Sequence, residues 1–266
     1  MQPSARLQLS FFGTPQIRID NNLINIERHH AVALLAYLAA EHKTVSRDRV
    51  VLLLWPDYGK SQGRTVLRQT LYTINKNLGK EWLATDRDMI ELCQVGDLWV
   101  DVWHVEKSLS SCKSHGHSKE DKCTECRDVL IEATSRLREE FLGGFSLRNS
   151  ANFEEWDIEQ KAYFNRLYVS SLRDLIRFLS AEGDYTRAIA YSRDWLALDR
   201  LHETAHHWLM QLYLSAGDRT AALHQYQECA EVLRSEIGAE PLAETTQLYS
   251  ETQLPSAKAE GLACVG

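Results

Sequence analysis

Two groups of residues in this chain have the types and spacing to do chemistry. The first is 112–126, CKSHGHSKEDKCTEC, a C-x2-H-x-H-x5-C-x2-C arrangement. Thiolates three residues apart can reach one ion at ~2.3 Å, and a histidine and a third thiolate complete a tetrahedron. Cys112, His115, His117, Cys123 and Cys126 are therefore candidate ligands for Zn2+, five donors for four positions. No open coordination position beside a general base is apparent, so such an ion would be structural. The alternative is a polar linker with incidental cysteines; the tight spacing in a reducing compartment favours zinc.

The second group is 61–78. At 100° per residue Leu67, Leu71, Ile74 and Leu78 form one stripe that must be buried. Ser61, Arg64, Thr65, Arg68, Tyr72, Asn75 and Lys76 fill much of the remaining surface, and no carboxylate is among them. Ordinary solvated faces mix acids with bases; this one offers cations, hydroxyls and a ring. Arginine pairs bidentately with guanine O6 and N7, while lysine and hydroxyls hold phosphates. Gly59-Lys60-Ser61 resembles the end of a phosphate loop, but Leu54 stands where the motif needs its first glycine, and no strand leads in. With no Ser–His–Asp setting and no open metal site either, the chain does not read as an enzyme.

The elements that position these groups follow from periodicity. Residues 6–26 alternate in short runs, with Gly13-Thr14-Pro15 and Asp20-Asn21-Asn22 as turns, giving two or three antiparallel strands. Ala31, Leu34, Leu35 and Leu38 then repeat at helical spacing through Glu41. Ser46 is placed to cap a second helix that ends before Pro56, and Ser61 to cap a third that Gly79 closes. Residues 82–85 and 89–93 form a hairpin with Arg87 at its tip. Three helices followed by a hairpin make a winged helix, whose third helix enters the major groove while the wing lies on the backbone. Arg47 and Arg49 at the start of the second helix are candidate phosphate contacts. Arg87 either reaches the minor groove or pairs with Asp86 and Asp88.

The segment AVALLAYLAAEHKTVSRDRVVLLLWPD, followed by RTVLRQTLYTINKNLG and WLATDRDMIEL, closely resembles the DNA-binding domain of Streptomyces antibiotic regulatory protein (SARP) type activators. The likeness covers about residues 6–105 and implies an OmpR-type winged helix whose recognition helix carries Arg64, Arg68 and Tyr72. Gly63 departs from the pattern. Glycine costs about 1 kcal/mol against alanine in a helix, which raises the question of how rigid that first turn is.

From Cys126 to about Glu251 the pattern is helical, broken at Gly143-Gly144, Gly183-Asp184, Gly217-Asp218 and Gly238. The second and third breaks are 34 residues apart, and that offset pairs Ala188 with Ala222, Ile189 with Leu223, Leu196 with Ala230 and Leu198 with Val232. A 34-residue helix–turn–helix period is the tetratricopeptide (TPR) signature. Helices at about 126–141, 152–181 and 241–251 are expected to cap the stack, with Trp156, Trp195 and Trp208 in the core. FLGGFSLRNSANFEEW and the run from Glu203 to Thr245 resemble the bacterial transcriptional activator domain of the same regulators. That resemblance implies dimerisation, support of promoter binding and recruitment of RNA polymerase. Some members carry a similar Cys/His-rich insert.

Composition sets the bounds. The chain has 266 residues, 44% hydrophobic and 25% charged, with a net charge of −7, which argues against indiscriminate coating of nucleic acid. Residues 28–80 nevertheless hold nine Lys/Arg against three Asp/Glu, the footprint of one DNA-facing element on an acidic chain. No apolar run spans a bilayer and the N-terminus has no signal-peptide pattern, so a cytoplasmic protein is expected. The expected fold is an α+β winged helix (1–108), a Cys/His-rich linker (109–126), an all-α TPR-like domain (127–253) and a loose tail (254–266). The expected function is a sequence-specific regulator, an activator binding promoter repeats. Its expected partners are double-stranded DNA, RNA polymerase and a second copy of itself, with no membrane. The alternative is a TPR-like protein-interaction adaptor with a vestigial winged helix.

Overall fold

The computed structural model describes residues 6–94, 97–114 and 123–254. They fall into two compact units. One takes everything up to 114 together with 128–168; the other takes 123–127 with 169–254.

The first unit opens with three antiparallel strands, β1 (Leu7–Ser10), β2 (Gln16–Ile19) and β3 (Asn22–Leu23). The two-residue turn between β2 and β3 places Asp20 and Asn21 at φ 48° and 66°, the left-handed pair that such a hairpin requires and that Asx residues tolerate. Helix α1 (His29–Glu41) follows. Its core face is wider than the sequence stripe suggested: every residue from Ala33 to Ala39 is buried, so the helix is the hub of the unit. A short strand β4 (Val45–Ser46) leads into α2 (Arg47–Leu54), and Ser46 caps it as expected, its Oγ accepting from the Arg49 N–H at 3.2 Å.

Helix α3 spans Lys60–Leu78. Its N-cap is Gly59, with no side-chain cap, so Ser61 lies inside the first turn and does not cap it. The helix starts earlier because Gly59 supplies an extended residue at the boundary (φ −61°, ψ 154°). The wing is β5 (Leu83–Thr85) and β6 (Met89–Leu92), with β4 pairing the outer side of β6. Strand β7 (Leu98–Val100), which the sequence pattern did not reveal, returns to run parallel to β1. It passes directly into α4 (Asp101–Ser114).

Residues from the helical half complete this unit. After α5 (Thr124–Leu137) the chain lays 140–142 along the end of β1: the Leu142 N–H donates to the Phe11 carbonyl at 2.7 Å and the Gly13 N–H to that of Glu140 at 2.9 Å. Helix α6 (Ala151–Glu182) begins by capping α2. Ser150 Oγ donates to the Leu53 carbonyl and Asn152 Nδ2 to that of Leu52, both at 2.8 Å, satisfying carbonyls that a helix end leaves open. Trp156 then packs edge-on to Tyr37 of α1 (5.3 Å) and to Phe141 (6.1 Å).

The second unit continues with α7 (Tyr185–Leu198), α8 (Glu203–Ser215), α9 (Arg219–Ile237) and α10 (Ala243–Gln253). The 34-residue offset has a physical counterpart. Gly183 and Gly217 take φ 80° and 82°. Asp184 and Asp218 then cap α7 and α9 through the N–H groups of Arg187 and Ala221. Ala188 and Ala222 are both fully buried, but Leu198 is exposed where its counterpart Val232 is buried. Trp195 is core; Trp208 is partly buried, with the Arg177 guanidinium over its ring at 5.5 Å. Among the described residues no helix is long and apolar enough to cross a membrane. The tail from 255 onward lies outside the described residues.

Candidate nucleic-acid interface

Helix α3 is anchored by the expected stripe: Leu67, Leu71, Ile74 and Leu78 are all buried. Gly63 is buried too, and for a specific reason. A Cβ there would collide with Cγ1 of Val51 on α2, so the glycine lets two helices approach closely. The exposed side carries Ser61, Thr65, Arg68, Gln69, Tyr72 and Lys76. Tyr72 is 69% exposed, far more than an aromatic side chain gains by packing. The Thr65 hydroxyl donates back to the Ser61 carbonyl at 3.0 Å. Arg68 and Lys76 form no ion pair among the described residues.

One edge of the helix differs from the expectation of an acid-free surface. No carboxylate comes from α3 itself, but α2 and the wing bring two. Arg64 Nε donates to Asp48 Oδ1 at 2.8 Å, and Arg64 Nη2 lies 3.4 Å from Asp88 Oδ1. Lys60 Nζ lies 3.1 Å from the other Asp48 oxygen. The Arg64 hydrogen bond, then that of Lys60, hold the Asp48 carboxyl below its ordinary range. Arg64 thus ties α2, α3 and the wing together. Arg47 works on the same junction: its Nε donates to the Asp86 carbonyl at 2.9 Å and its backbone N–H to the Asp88 carbonyl at 2.8 Å. Arg49 faces Glu41 at 3.5 Å.

At the wing tip the two aspartates that flank Arg87 have other partners. Asp86 Oδ1 accepts from the N–H groups of Asp88 and Met89, both at 2.7 Å, which lowers its pKa. Asp88 is taken by Arg64. Neither flanking aspartate is paired with Arg87, which is exposed and without an ion pair among the described residues. Sequence reasoning missed the Asp48–Arg64–Asp88 bridge because its carboxylates come from elements distant in the chain.

Of the five candidate zinc ligands, Cys112 lies in the last turn of α4, Cys123 immediately before α5 and Cys126, buried, in the first turn of α5. His115 and His117 lie outside the described residues. Among the described residues alone, no three His, Cys, Asp or Glu side chains converge on a metal-sized point.

The family profile described as "Bacterial transcriptional activator domain" matches residues 100–253, more than half of the chain. The chain belongs to that family. Members of this bacterial transcriptional activator family are non-enzymatic transcription factors, and the SARP-type resemblance read from the sequence is borne out. No curated protein matches the chain. Among solved structures, Mycobacterium tuberculosis EmbR, in complex with a low-affinity phosphopeptide, is similar in fold: TM-score 0.70 at 18% identity, over 94% of this chain. The chain spans 66% of the length of that one. A winged helix followed by helical repeats is thus a shared architecture.

Proposed function

We propose that this family member is a sequence-specific DNA-binding activator that reads the major groove with α3. The observation that carries the reading is the exposed side of that helix. It offers Arg68, Lys76, Ser61, Thr65 and Tyr72 with no carboxylate of its own, while the leucine stripe behind is buried. Arg68 and Tyr72 are the base readers in this reading. Lys76 and Ser61 hold phosphates, Arg87 carries the wing to the adjacent backbone or minor groove, and Arg49 flanks them. Arg64 and Arg47 hold the wing against the recognition helix. The helical half holds a second copy on repeated half-sites and recruits RNA polymerase. The protein works in the cytoplasm, at the nucleoid.

Selection of bound genomic fragments by the purified chain tests this. Discrete fragments should be enriched, and Arg68→Ala should abolish or redirect the enrichment. No enrichment by the parent, or the same fragments with the variant, would overturn the reading and leave the adaptor alternative.

A structural Zn2+ held by Cys112, Cys123, Cys126 and either His115 or His117 is part of the same proposal. Cys112 is in the last turn of α4, and Cys123 and Cys126 stand at the start of α5, the next helix in the chain, so an ion would order the connection between them. The purified chain should carry about one equivalent of zinc, lost when Cys123 and Cys126 are both changed to Ser. Sub-stoichiometric metal in the parent would refute it.

A further inference from the structure

The exposed side of α3 continues into an open cleft of about 420 Å³ lined by Arg68, Gln69, Tyr72 and Thr73 together with Arg28. Arg28 is the residue from which α1 starts, and the sequence reading counted it only toward local charge. Among the described residues no carboxylate lines this cleft. Arg28 and Arg68 face the same space, and neither forms an ion pair among the described residues. The first turn of α1 adds no acidic residue, and its N-cap has no side-chain partner. Burial first, then Arg28 and His29, push the pKa of the neighbouring His30 down. The contrast with the opposite edge of α3 is sharp, since there each cation has a carboxylate and here none does.

We infer that this cleft seats a backbone phosphate of duplex DNA, held by Arg28, and that the DNA footprint extends from α3 onto the start of α1. Two unpaired guanidinium groups around one open space repel each other until an anion enters. The cleft shares Arg68 and Tyr72 with the base-reading surface, so an anion lying there is the strand beside the bases being read. A phosphate contact adds affinity and salt dependence without adding sequence preference. The inference rests on the DNA-reading proposal above and adds a residue with a distinguishable signature.

The test uses the full chain and a duplex recovered by selection from a random-sequence pool, with binding measured across a potassium chloride series. Arg28→Ala should bind the same duplex several-fold more weakly, lower the slope of log affinity against log salt by about one, and select the same sequences. Arg28→Lys should regain most of the slope. Arg68→Ala should change the sequences selected. Failure of the parent to bind any duplex would overturn the DNA reading and this inference with it. Parent-like affinity and slope in Arg28→Ala, with Arg68→Ala still defective, would overturn this inference alone. Arg28-dependent binding of inorganic phosphate with duplex binding unchanged would make the cleft a small-anion site and likewise overturn it.

Discussion

Asp101 is buried where β7 passes into α4, and its two oxygens accept from the backbone N–H groups of Phe11 (2.7 Å), Phe12 (2.9 Å) and Val102 (2.8 Å). The first two fasten the end of β1 to the start of α4, and the third lies within the first turn of α4. All three also favour the carboxylate, yet burial outweighs them and raises the pKa to about 6. Because the folded value lies above the unfolded one, 3.8, the folded state binds the extra proton between them. Its contribution is complete below about pH 4 and is lost as the pH rises to about 6, by something on the order of 3 kcal/mol. Urea unfolding of the parent and of Asp101→Asn should therefore show the stability difference moving in favour of the variant from pH 4 to pH 6.5. A difference flat across that window would mean the carboxyl titrates normally. Arg64 and Arg68 separate at the same scale. Arg64 is already held by Asp48 and Asp88, so Arg64→Ala should weaken binding to all duplexes alike and keep the selected sequence, while Arg68→Ala should not keep it.

At the scale of elements, the contact between α2 and α3 turns on Gly63 and Val51. Helix propensity alone says Gly63→Ala should stabilise by about 1 kcal/mol. The structure reverses the sign, because the new methyl group meets Val51 Cγ1 in a packed interface, and overpacking costs typically about 1–3 kcal/mol. We expect Gly63→Ala to be destabilising in the parent, and neutral or stabilising on a Val51→Ala background. Additive effects in that double-mutant cycle would show that the two side chains do not compete for space. The same interface shows what could be read beforehand. The buried stripe of α3, the Ser46 cap and the wing hairpin follow from periodicity and capping chemistry and stand as expected. Gly63 looked like a weakness of the first turn because sequence shows a helix its own propensities and not its neighbour. The acid bridge to Arg64 was invisible for the same reason: Asp48 and Asp88 lie 16 and 24 residues from it in the chain. The return of β7 beside β1 was missed because a three-residue parallel strand carries almost no periodic signal.

At the scale of the whole molecule, a division at 108 and the compact unit that runs on to 168 make different forecasts. The likeness to known DNA-binding domains ends near 105, which invites cutting there. The structure gives residues 140–142 and the start of α6 to the winged helix. Phe141 and Trp156 cover Tyr37 and Phe11, Phe164 lies edge-on to Phe12 at 5.1 Å, and Ser150 and Asn152 cap α2. Removing them uncovers three aromatic side chains at ~1.5 kcal/mol or more each, and leaves two helix-terminal carbonyls without partners. That is a large share of the roughly 5–15 kcal/mol by which a domain is stable. A fragment of residues 1–108 should therefore unfold at lower urea than 1–168 and bind an apolar-surface dye that 1–168 does not. Equal unfolding midpoints would put the boundary at 108 instead. If 1–168 is the stable piece, the first half of α6 is a structural part of the first unit, because it caps α2, against which α3 packs at Gly63.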